Sequence, residues 1–344
     1  MNTSLMKFHI PEALHAADPP EKRLSARDQV KLLVLDRQTG KFKHDQFVHI
    51  RSYLEKGDLL IFNNSRTIPA VLRANHNGKS VEVRLSRRLS DSEWDVLLPE
   101  SRLNIGENLK FSNGVSAIIT GYGSVPPLVK IDFPARGTDL LHLFYETGDP
   151  IRYEYIHHPW PLEAYQTVFA TAPGSVEMPS AGRAFSWKLI KDLKKEGIGI
   201  AFLSLHAGLS YYGNDKWPSP KKHPETYSVP KSTAEKINEA KRNGKRVIAV
   251  GTTVVRALET AAGANGLVEA EEGTTSLYVT KNYPLRAADG LITGFHEPEA
   301  SHLDMLTSFV QEEFLLSAYQ NAISKNYLWH EFGDMNIILP LKGK

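Results

Sequence analysis

Between residues 67 and 147 the chain changes texture, and that change limits what it can fold into. Short runs of alternating polarity, SVEVRL at 80–85, WDVLL at 94–98 and VSAIIT at 115–120, sit between the turn dipeptides Asn77-Gly78 and Asn113-Gly114. Alternation with period two puts one face of each strand in a core and the other in water. Closely spaced short strands of this kind make a small antiparallel barrel or sandwich. Only residues 140–147 of this stretch have helical spacing.

On either side the strands are apolar throughout. Residues 30–36 (VKLLVLD) and 58–62 (DLLIF) come first; after residue 160 follow 198–205 (IGIAFLSL), 246–250 (RVIAV), 277–280 and 291–295 (LITGF). Helices alternate with the later strands: 187–196 closed by Gly197, one opened by Ser232 with a Glu235 capping box and stopped by Gly244, 253–262, and one long amphipathic helix over 299–324. Strands without a polar face are covered on both sides, so the pattern predicts an α/β domain with a largely parallel sheet covered by helices.

At 344 residues the chain exceeds what one core usually serves. Forty-one basic against 39 acidic residues leave a net charge of +2, too balanced for a dedicated nucleic-acid binder. The absence of cysteine excludes disulfides and thiolate metal sites and fits a reducing compartment. No run of about 18 apolar residues is present. A cytoplasmic enzyme without membrane attachment is the expectation.

In open α/β sheets ligands bind beyond the carboxyl ends of the strands. Here those ends run into His206-Ala207-Gly208, into Gly251-Thr252-Thr253 followed by Arg256 and Glu259, and into His296-Glu297-Pro298. A glycine between a buried strand and a helix lets a ligand reach the first helical N–H groups, which favour an anion. The alternative is that the threonines only cap the helix. His206 and His296 have the chemistry of a general acid or base near neutral pH, or are satisfied structural histidines. Metal binding is not expected, because His157-His158 diverge and His296/His302 lack compact ligand spacing. The segment TAPGSVEMPSAGRAFS at 171–186 is long and small-residue-rich, fit to wrap a flat ligand or to serve as a plain connection. Rossmann, G-x-S-x-G and H-E-x-x-H signatures are absent, and Asn77-Gly78-Lys79-Ser80 reads as a hairpin turn.

Taken in order, LLVLD after Arg27-Asp28, GDLLIFNNSRTIPA, YQTVFA, GSVEMPSAG, SLHAGL, RVIAVGTTVVRALE, DGLITGFHEPEAS and FGD at 332–334 resemble the S-adenosylmethionine:tRNA ribosyltransferase-isomerase (QueA) family across residues 27–338. The resemblance implies an α/β main domain of residues 1–66 and 148–344, interrupted by an inserted small antiparallel β-barrel domain at 67–147. It implies a monomer, tRNA as partner and S-adenosylmethionine as co-substrate, and the histidine spacing gives no metal to add. The implied reaction transfers and isomerises the ribosyl moiety onto a 7-aminomethyl-7-deazaguanine base of tRNA, giving epoxyqueuosine and releasing adenine and methionine.

That chemistry needs a base for the C5′ proton acidified by the sulfonium, hydrogen bonds to departing adenine, and an anion site for methionine's carboxylate. His206, His296 and Arg66 are the catalytic candidates. Asn64, Ser65, Tyr165, Gln166, Thr167 and Ser175 are candidate substrate contacts. Pro179, Ser180, Ala181, Gly182 and Phe185 are placed against the adenosyl part. Gly208, Gly251, Thr252, Thr253, Arg256, Glu259 and Phe295 complete the set.

The chain also departs from the family pattern. Asn64 replaces the aspartate of N-D-[TS]-R, Arg183 and Ala184 replace Leu and His in P-T-A-G-L-H-F-T, and Ser210 replaces a glycine in H-V-G-x-G-T-F. N-F-H-L-P-K-S-T becomes GFHEPEAS, turning a lysine into Glu299, and H-x-M-H-x-E survives only as His223 and Glu225. A reversed charge weakens phosphate contact. Three readings therefore stand: the family reaction on tRNA, the same co-substrate with a small acceptor, and a non-catalytic nucleoside- or RNA-binding protein on this scaffold.

Overall fold

The computed structural model describes residues 8–213, 217–298 and 301–341. A nine-stranded sheet forms its centre, in the order Glu271–Thr275, Glu225–Val229, Gly199–Leu205, Leu59–Asn63, Val247–Val250, Gly290–Gly294, Met335–Leu339, Lys31–Asp36 and Phe42–Gln46. Successive residues of the inner strands point to opposite faces, and both faces are covered. Leu59, Ile61, Val247 and Ala249 pack with the helices Lys231–Arg242, Thr252–Ala261 and Glu312–Ser324 through Ile237, Leu258 and Tyr319. Leu60, Phe62, Ile248 and Val250 pack instead on Phe47 and on Leu189 and Leu193 of the helix Trp187–Lys195. Two-sided burial is why these strands carry no polar face.

The sheet is mixed, which corrects the expectation of a largely parallel one. Its middle is parallel, from Gly199–Leu205 through Leu59–Asn63 and Val247–Val250 to Gly290–Gly294. Glu225–Val229 and Glu271–Thr275 add antiparallel pairs at one side. At the other, Met335–Leu339 runs antiparallel to Gly290–Gly294 and Phe42–Gln46 antiparallel to Lys31–Asp36. For the last pair the cause is connection length: its strands are joined by a tight turn through Gly40 (φ +70°), whereas a parallel return needs a crossover of a dozen or more residues.

Six strands close into an antiparallel barrel, because Val71–His76 pairs with Lys79–Arg88 on one side and with Asn108–Phe111 on the other. Closure removes the exposed edges. The helix Gly137–Thr147 seats Phe144 against Trp94 and Phe133, with ring centroids 5.5 Å away from each.

Three local expectations fail. Residues 277–280 are irregular, and the strand lies earlier, at Glu271–Thr275. The helix Lys231–Arg242 starts after Pro230 with no side-chain cap, and no Ser232–Glu235 capping box forms. The long helix is broken into Ser301–Leu306 and Glu312–Ser324. Between them Thr307 and Ser308 turn their hydroxyls back onto the carbonyls of Asp304 and Met305, a local bond that competes with the helical ladder. Glu299 lies outside the described residues. No helix among the described residues is long and apolar enough to cross a membrane.

Candidate functional site

A cavity of about 580 Å³ opens beyond the carboxyl ends of Val247–Val250 and Gly290–Gly294. That volume suits a small-molecule ligand. Of the residues singled out from sequence, Pro179, Ser180, Ala181, Gly251, Thr252, Thr253, Phe295 and His296 line it. Gly251 has φ +102°, and a β-carbon there would stand 3.3 Å from that of Ala181, so the strand-to-helix turn needs glycine. No side chain caps the helix Thr252–Ala261, so the capping alternative for the threonines is not what the structure shows. Its leading N–H groups start at the cavity wall.

One buried amide ties this turn to its neighbours. Asn63 donates to the Leu205 carbonyl (2.8 Å) and to Thr253 Oγ1 (3.2 Å), and its Oδ1 accepts from the backbone N–H groups of Ser65 and Leu205, both at 3.0 Å. Sequence reasoning passed over Asn63; the available signal was a polar residue at the end of an otherwise apolar strand.

His296 sits on the wall with Nε2 2.8 Å from Thr293 Oγ1 and its ring stacked on His302 at 5.0 Å. Burial holds its pKa well below the ordinary value, and His302 and His330 push the same way, so the imidazole is neutral. His206 is not on the wall. Its Nδ1 lies 2.6 Å from Ser65 Oγ, and a β-carbon on Gly174 would come within 3.0 Å of its ring. Burial, then the Arg88 charge, lowers its pKa to about 4 against the pull of Glu225.

The remaining candidates frame the cavity rather than face it. Arg66 is exposed. Asn64 accepts from Ser204 Oγ (2.8 Å) and donates to Thr171 Oγ1 (3.1 Å). Gln166 grips the backbone of Thr67 at both ends, and Thr67 Oγ1 donates to the Tyr165 carbonyl at 2.8 Å. Thr167 is buried, and Ser175 Oγ accepts from the Ala207 N–H at 2.9 Å. Gly182 leaves room for Phe169, and Phe185 is core, wedged between Phe47 and Phe62. The Gly208 N–H donates to Glu225 Oε1 at 3.0 Å. Arg256 is fully engaged by Glu225 and by the carbonyls of Leu277 and Thr275, and Glu259 receives the N–H groups of Arg286, Ala287 and Ala288.

Of the far wall only Glu177 lies in a segment singled out from sequence, the stretch 171–186. Tyr153 and Tyr155, from the segment after the barrel, donate to Glu177 and Glu331. Burial pushes the Glu177 carboxyl up to about 7, opposed by the Tyr153 and Ser210 hydrogen bonds, and raises that of Glu331 as well. Isolated glutamates carry no sequence signal for this. His15, His330 and Glu297 form the group of potential metal ligands among the described residues, with ligand atoms within 4.8 Å of one another. Within this group the His15 Nδ1 and His330 Nε2 atoms are in hydrogen-bond contact.

The comparisons with known proteins cover the whole of this framework. The family model described as "Queuosine biosynthesis protein" matches residues 3–338. The chain belongs to the queuosine biosynthesis protein family. An S-adenosylmethionine:tRNA ribosyltransferase-isomerase of Carboxydothermus hydrogenoformans is 39% identical over 339 residues, 96% of this chain and 98% of the relative. That of Thermotoga maritima is 36% identical over 346 residues, 98% and 100% of the two chains. A crystal structure of S-adenosylmethionine tRNA ribosyltransferase from Thermotoga maritima covers 97% of this chain and 99% of its own, with a TM-score of 0.55 and 30% identity.

Within the queuosine biosynthesis family pattern, the departures have definite places. Arg183 is buried, with Nε on the Ala164 carbonyl (2.7 Å), Nη2 on Glu21 (2.9 Å) and its guanidinium 5.1 Å over Phe332; burial lowers its pKa to about 10 against Glu21. Ala184 is buried beside it. Ser210 donates its N–H to Glu177 at 2.7 Å and places Oγ 3.2 Å from the Tyr153 hydroxyl. His223 meets Ser86 of the barrel at 3.1 Å.

Proposed function

We propose that the protein transfers and isomerises the ribosyl moiety of S-adenosylmethionine onto the 7-aminomethyl-7-deazaguanine base of tRNA, forming epoxyqueuosine and releasing adenine and methionine. The observation that carries this reading is the near-complete span of relatives bearing that activity's name, laid over a cavity at the expected strand ends. In this reading residues 67–147 are an inserted unit in a main domain of 1–66 and 148–344, and the cavity is lined from the main domain. The N-terminus of the helix Thr252–Ala261 takes the methionine carboxylate without Arg256, which is engaged elsewhere. Ala181, Pro179 and Phe295 supply apolar surface for the adenosyl group. His296, neutral and on the wall, is placed to accept a proton from C5′, while His206 positions Ser65 from behind.

One observation favours a second reading, the same co-substrate with a small cationic acceptor: among the described residues the lining contains glutamates but neither Lys nor Arg to meet a phosphate. Mass analysis of nucleosides from tRNA incubated with the protein and S-adenosylmethionine separates the two. Addition of an epoxycyclopentanediol unit to the deazaguanine nucleoside supports the tRNA reaction. Unmodified tRNA alongside a modified free deazapurine supports the second.

A further inference from the structure

The cavity is charged on one side only. Among the described residues it is lined by Glu12, Glu154, Glu177, Glu297 and Glu331, with no lysine or arginine. Glu177 and Glu331 bond to neutral donors: Tyr153 and the Ser210 N–H (2.7 Å) for the first, Tyr155 for the second. They are near enough that the charge on Glu331 raises the proton affinity of Glu177. Two carboxyls sharing a desolvated wall without a counter-charge are costly to keep ionised. Their phenol rings, both on the cavity lining, are stacked 6.2 Å apart and within 24° of parallel. His330 stacks on Tyr155 at 4.3 Å and so covers one face of that ring. Buried carboxylates on a cavity wall lined with aromatic rings and free of basic side chains are what a desolvated organic cation seeks, through ionic attraction and contact with the rings.

We propose that the Tyr153–Glu177 and Tyr155–Glu331 pairs form a subsite for a singly charged organic cation carried by a substrate, either a sulfonium or a protonated primary amine. The identity of those two occupants rests on the reading given under Proposed function; the subsite itself rests on the wall. The cation supplies the charge the wall lacks, and the hydroxyl that Ser210 adds beside Tyr153 braces the first pair.

Calorimetric titration of the full-length protein tests this with two matched pairs of probes. S-adenosylmethionine is compared with S-adenosylhomocysteine, which lacks the S-methyl group and with it the sulfonium charge. 7-Aminomethyl-7-deazaguanine is compared with its neutral 7-hydroxymethyl analogue. The expected result is a preference of tenfold or more for the cation in one pair, which names the occupant. In Glu177→Gln/Glu331→Gln that preference falls below threefold while affinity for the neutral member holds. Should the double variant fail to fold, the single variants Glu331→Gln and Tyr155→Phe are each expected to lose part of the preference. Equal affinity within both pairs, or a preference that survives the substitutions, overturns the subsite and leaves S-adenosylmethionine binding standing. Binding of no probe at all overturns both.

Discussion

Glu177 is a residue whose protonation the fold controls. Its carboxyl is raised to about 7 mainly by burial, with Glu331 adding to the shift and Tyr153 and Ser210 opposing it. A folded-state value above the unfolded one means that its contribution to stability is complete below the ordinary glutamate range and is lost as the pH rises through about 7. Glu177→Gln, which resembles the protonated acid, is therefore expected to raise Tm at pH 8 and to leave it nearly unchanged at pH 4, as scanning calorimetry can read. Asn63→Ala strands three backbone groups at once and is expected to cost about 3 kcal/mol in chemical denaturation. At this scale the sequence was only partly readable. Gly251 and His296 stand out because a strand end is a local feature. Arg256 and Glu259 do not, since the partners that engage them, Glu225 and the 286–288 backbone, are set by tertiary packing.

Among the elements, the turn at Gly251 joins fold to site. A side chain there meets both a left-handed backbone and Ala181. Gly251→Ala is expected to lose about 1–3 kcal/mol of stability, since its φ +102°, ψ 151° backbone is adopted readily by glycine alone, and to weaken S-adenosylmethionine binding, measured by denaturation and by calorimetry on the same preparation. Strands buried on both faces were legible because short apolar runs of about four to eight residues bounded by turn residues fit an inner strand. The break at 307–311 was not, because hydroxyl back-bonding by Thr307 and Ser308 leaves the amphipathic pattern intact. The strand expected at 277–280 fails for a related reason: its carbonyl at Leu277 is taken by Arg256.

For the whole molecule, the change of texture at 67–147 was the most informative feature, since period-two alternation with Asn-Gly turns belongs to a closed antiparallel sheet. The direction of the central sheet was less legible, because apolar runs report burial and not strand polarity. Electrostatics give a prediction at this scale. The lining holds glutamates and no Lys or Arg among the described residues, so phosphate contacts must lie outside the cavity. Binding of tRNA is then expected to weaken steeply between 50 and 200 mM salt, on the order of tenfold or more, while S-adenosylmethionine affinity changes little. Filter binding and calorimetry in the same buffers check both.

The most direct measurement is adenine release from S-adenosylmethionine by the purified protein, with and without tRNA bearing 7-aminomethyl-7-deazaguanine. Release that requires this tRNA, and that drops at least tenfold in His296→Ala, is the expected result. Release without any tRNA, or none with it while S-adenosylmethionine still binds, would contradict a ribosyltransferase-isomerase acting on tRNA.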